Sequence, residues 1–302
     1  MCAGRLLQAL KVCALAVILV TSFHTSARGD LLPPYAQNYG SIGGQDVEYQ
    51  NVSERTVTSI SPGPPTNDPM KLGRPQASGN KLVFRGDGTP PPPPATGTIG
   101  MNIFAGSAGV ASALTDSWLY MDVAAKAGKN IASFVLTESG DYALTGSGTA
   151  NTNAKWELGS LLLLIKEINH DPSNVLSIPV TPTVVYNVTP AGGQPYASYG
   201  RLFSLPNDKS GDIKVTATFD IAGALAQAGI TGMVSKLYFS FDNRLTTESE
   251  LGTVAYITKK ELTIDPTAVP EPAALVLLGM GALGLVGCGW HRQRQTGLQN
   301  AA

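Results

Sequence analysis

The chain has 302 residues, of which 43% are apolar, 14% charged and 7% aromatic, with 33 Gly, 21 Pro and a formal charge of −1. The apolar share is that of ordinary globular chains and excludes disorder throughout. The balance of 21 basic against 22 acidic residues excludes the basic surplus of a nucleic-acid binder.

The N-terminal segment 1–27 has the pattern of a secretory signal peptide. Arg5 and Lys11 form its positive flank, Val12 to Val20 its apolar core, and Thr25 and Ala27 the small residues before a cut after Ala27. Nine helical residues reach only about 14 Å, too short for a bilayer core of roughly 30 Å. The cysteines, Cys2, Cys13 and Cys288, all lie near the ends. The body between them therefore has no thiol for a disulfide, a nucleophile or a zinc site.

Residues 28–268 form the exported body. Removing Arg5, Lys11, Arg28, Arg292, Arg294 and Glu271 leaves residues 29–268 with about five net negative charges, a solubility feature that names no partner. Its first part, 28–80, reads as loop-rich, with Val52 to Ile60 as an edge strand. A Pro-rich loop, 86–97, contains Pro90 to Pro94, which favour a stiff polyproline II run of about 15 Å.

Strands are expected at Lys81 to Arg85, Thr98 to Phe104, Trp118 to Ala124, Ile131 to Thr137, Tyr142 to Thr145, Val184 to Val188 and Arg201 to Leu205. The clearest alternation runs through Ile213, Val215, Ala217 and Phe219, and again through Leu237, Phe239 and Phe241. Lys155 to Asn169 fits a helical face in part. A central strand absorbs its Leu161 to Ile165 run more simply.

Ile221 to Gly229 reads as a short helix stopped by glycine. In Thr253 to Ile264 the apolar parity switches between Ile257 and Leu262, which predicts a bulge near Lys259. Short strands punctuated by Gly, Pro and Asn predict an all-β fold: a single antiparallel β-sandwich of jelly-roll type with long loops.

The C-terminal end carries the most specific pattern. Val269-Pro270-Glu271-Pro272 is followed by Ala273 to Trp290, 18 residues without a charge, and then by Arg292 and Arg294 and the tail 295–302. As a helix the run 273–290 spans about 27 Å, enough to cross a membrane. The basic residues after it favour leaving this end in the cytoplasm and the body outside. The two prolines fix an extended peptide in which Glu271 is the only charge.

A VPEP sequence, a Gly-rich apolar helix and an Arg-containing tail resemble the PEP-CTERM sorting signal over 269–294. The resemblance implies export, a transient membrane anchor and recognition near Pro270, Glu271 and Pro272 by an exosortase-like membrane enzyme. It also implies an association with exopolysaccharide or biofilm matrix.

Catalytic patterns are missing from the sequence. Outside the two ends His170 is the only imidazole, and no G-x-S-x-G elbow supplies it with a nucleophile. Neither an H-E-x-x-H nor a phosphate-binding loop is present. Asp242, Asn243, Glu248 and Glu250 fall in a strand-flanking stretch without the D-x-D-x-D-G spacing of a calcium loop, so they read as a solvated loop rather than a calcium site. Arg85-Gly86-Asp87 spells a three-residue adhesion motif that chance alone supplies.

The expectation is a non-enzymatic protein without cofactor or metal, structural or adhesive in role, with exopolysaccharide as a candidate contact. The alternatives are a secreted polysaccharide hydrolase with two carboxylates in a cleft, and a carbohydrate-binding module. The module would use exposed rings such as Trp118, Tyr120, Trp156, Tyr196, Tyr199 and Tyr256.

Overall fold

The computed structural model describes residues 37–61, 66–67, 72–85, 103–174 and 176–271. The signal peptide 1–27 with its Ala27 cut, the Pro-rich loop 86–97, Pro272, the apolar run 273–290, Arg292, Arg294 and the tail 295–302 lie outside the described residues.

The described chain is antiparallel β-structure with one short helix. In order the strands are β1 (Gln37–Gly43), β2 (Val47–Ser61), β3 (Thr66–Asn67), β4 (Gln76–Ser78), β5 (Lys81–Arg85), β6 (Ile103–Ala108), β7 (Ala111–Ala125), β8 (Lys129–Thr145) and β9 (Asn153–Ile168). They continue with β10 (Ile178–Val180), β11 (Pro182–Thr189), β12 (Gln194–Pro195), β13 (Gly200–Ser204), β14 (Ser210–Phe219), β15 (Val234–Ser249) and β16 (Val254–Pro270). Helix α1 (Ile221–Ala228) joins β14 to β15. All sixteen strands belong to one hydrogen-bonded sheet.

Two long ladders carry that sheet. One runs β1-β2-β7-β15-β9, with β10 and β13 sharing the far edge of β9. The other runs β11-β14-β8-β16, with β6 and β5 sharing the far edge of β16. The pair Val234 and Ile131 bridges them.

The inward side chains of both ladders meet in one core. Phe134 of β8 lies 5.5 Å from Phe219 of β14 and 4.9 Å from Phe239 of β15. Tyr142 of β8 stacks on Phe203 of β13 with centroids 4.0 Å apart. Aromatic pairs of this kind add about 0.5–1.5 kcal/mol each beyond their buried area. The sheet folds over on itself into a nearly barrel-shaped body, in agreement with the expected all-β antiparallel class.

Several sequence expectations are met in detail. Of the stretch Lys155 to Asn169, all but the turn residue Asn169 is strand, within β9, and both its edges are paired. A register shift opposite Asp242 and Asn243 changes its parity, so Leu158, Leu163 and Ile165 all face the core while Leu162 and Leu164 remain half-buried. The register of β16 against β8 shifts between Lys259 and Glu261, where the bulge was predicted. Asp220 caps α1 by accepting from the Gly223 amide at 2.9 Å, and Gly229 ends the helix at φ +69°.

Other expectations need correction. The loop-rich reading of 28–80 misses β1 and β2, because Gly40 and a bulge at Asn51 (φ +55°) interrupt the alternation without ending the pairing. β2 is an interior strand and not an edge, with β1 on one side and β7 on the other. Ile131 to Thr137 and Tyr142 to Thr145 are one strand, β8. Of the expected strand Thr98 to Phe104, only Ile103 and Phe104 are described, and they open β6.

Candidate functional site

The sorting peptide begins inside the fold. β16 continues through Val269 and Pro270, which pair with Asn130 and Lys129 at the start of β8. The Glu271 amide extends the ladder by donating to the Gly128 carbonyl at 3.1 Å. The peptide was expected to be extended and accessible. It is extended, but one edge of it is already occupied by hydrogen bonds. Val269 and Glu271 are half-buried and Pro270 is exposed.

His170, the imidazole that sequence reasoning set aside as incidental, faces this peptide. Its Nε2 stands 2.7 Å from the Lys129 carbonyl and 3.4 Å from Glu271 Oε1. Both neighbours are acceptors, so Nε2 carries the hydrogen. Asn169 and His170 both take left-handed backbone, at φ +55° and +53°, which turns the ring toward the end of β16. The His170 amide is fixed in turn by the Ser235 hydroxyl at 3.1 Å.

A second polar group lies within the core. Lys259 and Glu138 are fully buried and 2.7 Å apart. Trp156 Nε1 donates to Glu138 Oε2 at 3.2 Å, and the Asn243 side-chain amide donates to Oε1. The ammonium also sits 4.4 Å from the centre of the Trp156 ring. Burial pulls the Lys259 pKa down to about 8, against the opposing pull of Glu138. The group is closed to solvent, and its partners are all provided from within.

The third cluster is on the outer face of β7, β15 and β9. Arg244 is opposite Asp116 in the ladder and bonds it at 3.1 Å. Asp116 Oδ1 and Asp242 Oδ1 are both buried without a hydrogen-bond partner among the described residues. Burial first, then the neighbouring Asp116 carboxyl, push the Asp242 pKa up to about 7. Arg55 covers the neighbouring Trp118 ring at 5.0 Å.

The stretch read as a strand-flanking loop, Asp242 to Glu250, is mostly strand. Asp242, Asn243 and Glu248 lie on strand β15, where Asn243 points into the core. Glu248 is bound to Asn153 and Lys155, and Glu250 to Thr149 and Thr152. Among the described residues no group of three or more His, Cys, Asp or Glu comes together for a metal ion. Of the aromatic candidates, Trp156 is fully buried, while Tyr196, in the loop after β12, and Tyr256, on β16, are exposed. An open groove of about 400 Å³ lined by Asn187, Asp212, Lys214 and Lys260 has no aromatic side chain in its wall. Arg85 pairs with Glu261 at 3.1 Å, while Gly86 and Asp87 lie outside the described residues.

An all-β body that ends in a sorting peptide defines the class: an exported cargo protein. Residues 268–293 match the PEP-CTERM protein-sorting motif, so the chain carries that signal on the residues where the sequence pattern lay. The motif implies export, processing by an exosortase and a membrane-anchoring C terminus. Among the described residues no helix is long and apolar enough to cross a membrane, and the run 273–290 is outside them.

No curated protein matches the chain. Similar solved structures include the adhesin domain of Epf from Streptococcus pyogenes, at 9% identity and TM-score 0.21, with 72% of this chain and 60% of that one covered. The chain thus spans under two thirds of that adhesin's length. Trichoderma harzianum endoglucanase 3 of family GH12 follows at 12% identity, 80% and 100% coverage and TM-score 0.17. A family 12 xyloglucanase from Bacillus licheniformis gives 10%, 70% and 100%, and 0.18.

Proposed function

We propose that the chain is an exported structural or adhesive protein of the cell surface or extracellular matrix, a β-sandwich of jelly-roll type delivered through its C-terminal signal. The observation that carries this reading is the PEP-CTERM match over 268–293, joined directly to the last strand of the body. Enzymatic chemistry has little to work with. Asp116 is already paired with Arg244 at 3.1 Å. His170 is committed to Lys129 and Glu271.

Mass spectrometry of the protein from membrane, surface and medium tests the sorting part. Mature material should begin after Ala27 and end near Pro270, without the segment 273–290. Recovery from the surface or medium with that segment attached overturns it. The adhesive part is tested by deleting the gene and scoring attachment and matrix retention. An unchanged biofilm, with no binding of the purified body to exopolysaccharide, removes that role.

A further inference from the structure

We propose that the sorting peptide is held shut against its own cargo, with His170 as the latch, so that processing requires the last residues of β16 to leave the sheet. This rests on the sorting reading given above and adds a regulation to it.

The argument begins with backbone bonds. An enzyme that reads an extended peptide takes hold of its main chain as well as its side chains. In this protein Val269 and Pro270 are in register with β8, and the Glu271 amide is bonded to Gly128. The recognition handle Glu271 is also turned toward His170 Nε2. The enzyme and β8 therefore compete for the same edge.

The sheet also marks how much must come away. The register of β16 against β8 is interrupted between Thr267 and Ala268, so 268–271 form a separate short rung set beyond a bulge. Pro270 has no amide hydrogen to give to that set. Upstream of the bulge, Pro266 is buried and Ile264 belongs to the core. Ala268 still packs against the core, so the residues that can detach without uncovering it are 269–271. His170 contacts the Glu271 carboxylate and bonds the facing Lys129 carbonyl at the same time.

The test leaves the motif itself untouched. His170→Asn keeps a residue that tolerates left-handed backbone, but its shorter side chain no longer reaches Glu271. In the producing bacterium, tail removal from the full chain should run about three- to tenfold faster than in the wild type, the factor expected for losing one partly exposed polar contact to a carboxylate. Amide hydrogen exchange of the purified full chain should show the amides of Ala268, Val269 and Glu271 protected in the wild type and less protected in the variant. Equal processing rates, or exchange at 268–271 as fast as in a free peptide, overturn the latch. An uncut wild-type chain at the surface instead defeats the sorting reading. Should the variant not fold, the wild-type exchange measurement decides alone.

Discussion

Lys259 and Glu138 form a fully buried ion pair 2.7 Å apart, reaching across from β16 to the adjacent strand β8 on the core side of the sheet. Trp156 and Asn243 reach the same carboxylate from the facing ladder. Removing one member leaves the other charged and without water. Lys259→Ala should cost about 3–5 kcal/mol in urea unfolding. The double change Lys259→Met with Glu138→Leu should recover most of that loss. Equal stability of the single and double variants would show that the charges are not coupled.

Gly140 makes this arrangement possible. A Cβ there would lie 2.7 Å from the Trp156 ring and collide with the Thr258 carbonyl. Because backbone cannot withdraw as a flexible side chain can, Gly140→Ala should destabilise by about 3 kcal/mol or more. The near-UV circular dichroism of Trp156 and the unfolding midpoint both report it.

Asp242 sets a pH dependence. Its folded pKa is near 7 against an ordinary 3.8, so the folded state keeps a proton that the unfolded chain loses between about pH 4 and 7. That contribution is present below the lower value and disappears as pH rises through the upper one. Because Asp242 is partly exposed, it amounts to about 1 kcal/mol after screening, or about 2–4 °C in Tm. Thermal melts at pH 4.5 and pH 8 should differ in that sense, and Asp242→Asn should flatten the difference.

Glu271→Ala should leave the protein in the membrane fraction with its tail attached, because the sorting enzyme loses the charged handle of the motif. Fractionation followed by intact-mass measurement reads the result, and unchanged release would remove Glu271 from recognition. The variant at Glu271 and the one at His170 shift processing in opposite directions, although they break the same contact.

Much of the sheet was legible because one buried face per strand writes itself as alternation, as in Ile213 to Phe219. The bulge at Lys259 was legible for the same reason, since a change of parity leaves a mark on either side of it. The closeness of Asp116 to Asp242 was not, because these residues meet only when β7 and β15 are set in register. Gly140 misled in the other direction. A glycine between two apolar runs reads as a break, whereas in β8 it makes room for a ring from another strand. Lys259 has no marker either: a lysine in a bulge reads as solvent-facing until its carboxylate partner is located. The start of the sorting signal was found from VPEP, but its docking was invisible because the residues it meets, Gly128 to Asn130 and His170, are far away in the chain.

The register of β16 against β8 runs from Val254 opposite Thr145 to Pro270 opposite Lys129, and much of its other edge is taken by β6 and β5. A tug applied to Glu271 along the axis of β16 therefore stresses these rungs side by side instead of opening them one after another. Beyond the few residues past the bulge, the body is attached to whatever holds its tail through a strand loaded in shear, the direction in which a β-ladder yields last.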